Sequence, residues 1–167
     1  MKLRQWSKKE VVQFSKTLLI ISTAIFFTIV VLNNLIDYNS NFEFVKHVLS
    51  MDTTFPGNSL IYRAITDITF HHIFYWIIIL WEAFIAVYMW IGSVNSIRFY
   101  KKKKFDWGLR PAIMGLTCAL LLWFFAFLTI GGEWFAMWQS QIWNGQDAAF
   151  RMFAVNGITL LFLLFKE

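Results

Sequence analysis

Charge is scarce in this sequence. Asp, Glu, Lys and Arg make up 15% of its 167 residues, while 58% are hydrophobic; soluble domains carry about 25% charged residues. That balance excludes a water-soluble domain and points to an integral membrane protein. The single cysteine, Cys118, lies inside an apolar run. It excludes a disulfide framework, a Cys-x-x-Cys redox pair and a thiolate zinc cluster. A His-Glu-x-x-His pair, a glycine-rich phosphate loop and a Ser-His-Asp order are also missing, so no pattern points to catalysis or names a cofactor.

What charge there is has a pattern. The net charge is +5, and all of the 15 Lys and Arg except Lys46, Arg63 and Arg151 fall in residues 2–16, in residues 98–110 or at Lys166. Short basic segments between apolar runs are the positive-inside signature, which predicts that both termini and the central loop are cytoplasmic. The run Lys101 to Lys104 reads as a topology anchor, and no nucleic-acid partner is expected. The first apolar run is long enough to span and lacks a small-x-small cleavage site, so it reads as a retained anchor.

Four spans are predicted, at about residues 16–35, 68–94, 112–130 and 147–165, each near the twenty residues that a hydrocarbon core of roughly 30 Å requires. The expected fold is an all-α antiparallel four-helix membrane bundle in a single domain, with short interfacial helices in the outer loops. In the larger outer segment, Ser40-x-x-Glu43 reads as a capping box that starts a short surface helix. Phe42, Val45, Val48 and Leu49 form its apolar face, and Glu43, Lys46, His47 and Ser50 its polar one. Leu60 to Ile65 can make a second brief helix, and Thr66-Asp67 caps the second span. Ala112, Gly115, Ala119 and Ala126 give the third span a small-residue stripe for close packing. Gly131-Gly132 is expected to stop that span.

Glu82 is the costly residue. A charge near a bilayer centre costs at least about 2.5 to 3.5 kcal/mol, so Glu82 needs a partner, a proton or a cavity. At about 100° per residue, His71, Tyr75 and Glu82 share one helix face. Arg151, submerged at the start of the fourth span, and Asn156, at nearly the depth of Glu82, are candidate partners; Asn33 and Asn34 lie at the outer boundary of the first span. Glu82 reads either as a structural carboxylate held by Arg151 or Asn156, or as a proton acceptor or ligand anchor.

The remaining candidates are also on the outer side. Arg63 and Arg151 can clamp an anionic group bidentately or pair with acids such as Asp52 and Glu133. Trp134, Trp138 and Trp143 suit the headgroup layer and can also stack on a planar ligand. His47 and Asp52, with His71 and His72, are candidate ligands for copper or another divalent metal, although their spacing matches no tight metal motif.

Several segments resemble a known family. Asn33-Asn34 with Asp37-Tyr38, the run from Phe44 to Pro56, the run from Gly131 to Ser140, and Trp143-Asn144-Gly145-Gln146 are similar to the bacterial predicted small integral membrane proteins of domain-of-unknown-function family 2165. The resemblance covers nearly the whole chain. It implies a bacterial inner membrane and four spans, carries over no activity, and puts weight on the outer side, where its most recognisable segments lie. The expectation is a non-catalytic accessory protein that binds a partner or ligand at a periplasm-facing polar site, in contact with the bilayer and as part of a larger membrane complex. The alternatives are a small proton-coupled transporter or channel using Glu82, and a metal-binding protein using the outer histidines.

Overall fold

The computed structural model describes residues 6–165. Helix α1 (Lys8–Ile36) opens with a capping box in which the Ser7 hydroxyl accepts from the Glu10 amide and the Glu10 carboxylate accepts from the Ser7 amide. These contacts satisfy two of the orphan N–H groups at the helix start. Asp37 alone joins α1 to α2 (Tyr38–Ser50), ending the first helix and beginning the second. Met51, in the left-handed conformation (φ 53°), ends α2, and a single 3-10 turn follows at Ile61–Arg63. Asp67 caps α3 (Ile68–Arg98) by accepting from the Thr69 amide at 2.8 Å. A short α4 (Phe105–Gly108) leads into α5 (Arg110–Leu121), with Pro111 in its first turn. The third long helix continues through a π-helical segment, Leu122–Trp134. A 3-10 turn at Met137–Gln139 precedes α6 (Gln146–Leu164).

Four helices, Lys8–Ile36, Ile68–Arg98, Arg110–Trp134 and Gln146–Leu164, are long and apolar enough to cross a membrane, and there is no strand among the described residues. The fold is the expected all-α bundle. Helix α1 packs mainly on α3, α3 on α5, and α5 with its π segment on α6, while α1 and α6 meet only sparingly. The half of the bundle nearest the basic segments is closed by Ile20, Ala24, Phe27, Ile85, Met89, Ala112, Leu116 and Leu122, all without exposed surface. Small residues make this possible: a Cβ on Gly92 would lie 2.6 Å from the Ala112 Cβ. The expected small-residue stripe therefore faces α3. At the same end the Lys16 ammonium donates to the Phe165 carbonyl at 2.6 Å, tying α1 to the end of α6.

A second cluster fills the opposite half, where Phe42, Val45, Val48 and Leu49 of α2 pack with Tyr75, Ile79, Phe135, Ala136 and Met137. The apolar face expected for α2 is the one that is buried.

Three local expectations need correction. Helix α2 starts at Tyr38, two residues before the supposed capping box: Ser40 donates to the Asp37 carboxylate at 2.7 Å, and Glu43 pairs with Lys46 at 2.8 Å instead of reaching back. The second brief helix is only the Ile61–Arg63 turn. Gly131 and Gly132 do not stop the third long helix, because the backbone switches to i→i+5 hydrogen bonds, closing with the Phe135 amide on the Ile130 carbonyl at 3.0 Å. Gly132 serves close packing instead; a Cβ there would lie 2.7 Å from the Gln146 side-chain amide.

Candidate functional site

Between the two packed clusters lies a cavity of about 280 Å³, bounded by α1, α2, α3, the π segment and the start of α6. Helices α1 and α6, which are in sparse contact, both line it, as do Asn41, Phe44 and Val45 of α2. The face of α3 predicted from the helical period is the buried one, with His71, Tyr75, Ile79 and Glu82 all facing inward. It places Glu82, 3% exposed, in the cavity wall.

A chain of amides holds the carboxylate. Asn41 of α2 donates to the Asn34 side-chain oxygen at 2.6 Å, and Asn34 of α1 donates to Glu82 Oε2 at 2.6 Å. The Tyr75 hydroxyl lies 3.5 Å from the Asn34 carbonyl. Among the described residues, Asn34 is the sole hydrogen-bond partner of Glu82. Trp123 lines the same cavity, and its buried indole N–H has no hydrogen-bond partner. The lining thus includes a buried carboxylate and a tryptophan whose indole N–H is unpaired. An unmade bond at a buried polar atom costs about 1 to 3 kcal/mol, and the Trp123 N–H carries that cost.

A second cleft, about 230 Å³ and almost wholly apolar, lies between α2, α3 and the π segment and includes Ile77, Trp81, Phe125 and Ile130. Phe44, Val45, Ile78 and Phe127 border both spaces, so the cavity at Glu82 and the apolar cleft are adjacent. Gly145 seats this partition, since a Cβ there would lie 2.7 Å from the ring of Phe44.

The other candidates are dispersed. Arg151 is exposed and makes no ion pair among the described residues, so it does not hold Glu82. Asn156, although buried, donates to the Met152 carbonyl of its own helix at 2.7 Å, which removes it as the partner. Asn33 points outward, one residue from the buried Asn34. Arg63 stacks over Trp134 at 4.4 Å and donates to that residue's carbonyl at 3.2 Å, a contact that ties the Ile61–Arg63 turn to the end of the π segment. Glu133 is exposed, and Trp138 packs edge-on against Phe55 at 5.8 Å.

The metal candidates fall in separate places. His47 and Asp52 are paired at 2.7 Å, with the His47 ring stacked on Trp143 at 4.6 Å. His71 Nε2 donates to the Ile65 carbonyl at 2.7 Å; a carbonyl only accepts, so that nitrogen carries the proton. His72 Nδ1 meets the Tyr38 hydroxyl at 2.8 Å and its ring stacks on Phe42 at 4.1 Å. No group of three His, Cys, Asp or Glu positioned to hold a metal occurs among the described residues. The hydrogen bond from Lys46 lowers the pKa of Glu43, as does the Thr69 amide for Asp67, so both remain acceptors on the surface of the lid and at the helix cap.

Asn41 and Trp123 were not among the candidates read from the sequence. Trp123 carried a signal: it lies mid-span, away from the outer loop whose tryptophans suit an interface belt. Asn41 carried none beyond its position on the edge of an amphipathic helix.

No curated protein and no solved structure matches the chain. A family model for predicted small integral membrane proteins, DUF2165, matches residues 12–166, nearly the whole length and including every group that lines the cavity. The chain therefore belongs to the DUF2165 family of predicted small integral membrane proteins.

Proposed function

We propose that the protein is a non-catalytic accessory protein of the bacterial inner membrane, which binds a small amphiphilic molecule in its outer-half cavity. The observation that carries this reading is the buried Glu82 carboxylate, held by one amide and facing a cavity that it shares with the unpaired Trp123 N–H. A ligand with a protonated amine or a hydroxyl end satisfies the carboxylate, and an acceptor beside it satisfies the indole. The adjacent apolar cleft suits the remainder of such a molecule. A cation in the cavity also offsets the cost of removing Glu82 from water. The arrangement of basic residues supports cytoplasmic termini and a cavity on the periplasmic side.

Holding is favoured over passage because the layer of Ile20, Ala24, Phe27, Ile85, Met89 and Leu116 closes the bundle beneath the cavity. The dispersal of the histidines argues against the metal-binding alternative. The exposed aromatic and aliphatic side chains along the long helices leave ample surface for a larger membrane complex.

Native mass spectrometry of protein released gently from its own membrane tests the proposal. A small extra mass is expected on the wild type and on Arg151→Ala, and is expected to be lost from Glu82→Gln, which keeps the acceptor for Asn34 but removes the charge. Equal retention by Glu82→Gln, or a wild-type chain that carries nothing, would sink the reading. Proton or solute flux into vesicles that depends on Glu82 would replace it with transport.

A further inference from the structure

We infer that the basic end of the bundle carries a second, separate site, which binds a phosphate-bearing anion. A polar cavity of about 140 Å³ lies between the first turns of α1 and the connection from α3 to α5, and Lys9, Lys16, Lys102 and Lys103 line it together with Gln13 and Asp106. Lys16 is the residue that calls for a ligand. It is only 3% exposed, yet among the described residues no carboxylate pairs with it, and the Phe165 carbonyl at 2.6 Å takes one of its three donor positions. A buried ammonium without a counter-charge is costly, and a bound anion would supply one.

The surroundings fit an anion with several oxygens. Lys9, Lys102 and Lys103 make no ion pair among the described residues, and neither does Asp106, the one carboxylate in the wall. The neighbouring Lys101 is set apart: its ammonium is paired with Glu10 at 2.8 Å, and its backbone amide donates to Gln13 Oε1 at 2.9 Å. That bond fixes Gln13 in the wall and positions the loop, whose turn places Lys101 at φ 61°. Four lysines and one carboxylate residue thus line a small space. A tetrahedral phosphate accepts charge-assisted bonds from several directions at once, which suits this arrangement. Trp6 and Trp107, half-exposed at the same end, place the cavity at the level where indole rings meet headgroups. Basic pockets between spanning helices at that level bind anionic lipid headgroups, and the same chemistry would accept a soluble phosphate compound.

The test uses the full chain in phosphatidylcholine nanodiscs, with two probes: dioleoyl phosphatidylglycerol, followed as a retained lipid by native mass spectrometry, and millimolar inorganic phosphate, followed by the thermal midpoint. Wild type is expected to bind at least one probe, and Lys102→Gln/Lys103→Gln is expected to bind that probe roughly tenfold or more weakly. Lys8→Gln, which removes a charge next to the cavity but not from its wall, should bind nearly as wild type does. Lys16→Gln should lose binding while α3 and α5 stay packed; because it can also impair folding, the exposed loop pair is the deciding variant. Retained phosphatidylglycerol with no response to phosphate identifies a lipid headgroup, and the converse identifies a soluble phosphate compound. The proposal is overturned if wild type binds neither probe, if the loop pair binds as wild type does, or if Lys8→Gln weakens binding as much as the loop pair does.

Discussion

The two halves of this bundle solve the problem of packing in opposite ways. Near the basic segments, small residues bring the backbones together until the side chains leave no room: Ala24, Ala112 and Ala119 have no exposed surface, and Gly92 lies against Ala112. In the other half, large aromatic and aliphatic side chains from the two connecting segments fill the space from above, and voids of about 280 and 230 Å³ remain beneath them. The difference lies in how the gaps are filled. A close-packed helix pair is rigid and specific, as in protein interiors generally; a roof of rings over a frame of helices leaves cavities with polar groups in their walls. The interior of the closed half provides rigidity and leaves a cavity only at its basic loop end, whereas the open half has its cavities between the helices themselves.

Substitutions can break this contrast, and the largest effect is expected in the closed half. Gly92→Val should destabilise by about 3 kcal/mol or more in detergent unfolding, because the new side chain meets backbone as well as the Ala112 methyl. A stable Gly92→Val protein would mean that the two helices can separate. Next comes Asn34→Ala, which strips Glu82 of its hydrogen bond and should cost about 2 kcal/mol. A cost near zero would show that water or a ligand replaces the amide. Gly157→Ala sharpens the comparison from the other side: its Cβ would first meet Leu120 at 3.6 Å, an ordinary contact, so the better helix former should stabilise by up to about 1 kcal/mol. Arg151→Ala should change stability by less than about 0.5 kcal/mol, since the side chain is exposed and unpaired among the described residues.

The smallest expected effect is acid-dependent. The Thr69 amide holds the Asp67 carboxyl below its ordinary value of 3.8. The folded pKa is below the unfolded one, so the stabilisation is complete above 3.8 and is lost as the pH falls through the lower folded value. Asp67→Asn caps the helix without titrating and should show a shallower acid slope at the start of α3. Matching slopes in amide exchange would remove Asp67 from the account.

The helical period placed His71, Tyr75 and Glu82 on one buried face, and the capping pattern at Asp67 fixed where α3 begins, since both depend on neighbours along a single helix. The partner of Glu82 depends on how separate helices meet, and that was not legible. Asn33 and Asn34 are adjacent and chemically identical; only the rotation of α1 decides that Asn34 faces inward. Depth counting put Asn156 level with Glu82 but could not show that its amide would turn back to Met152. The π segment was hidden for a different reason. Nothing in its run of apolar residues marks a change of hydrogen-bond pattern, and that change leaves the glycine pair, read as a stop, inside the helix.

One further consequence follows from Asp37, the single residue between α1 and α2. A joint so short acts as a lever. Asn34 lies just before it and Asn41 just after it, and the bond between them at 2.6 Å spans the angle like a strut. Since Asn34 also holds Glu82, one chain of hydrogen bonds runs from the carboxylate on α3 through α1 to α2, on either side of the single-residue joint.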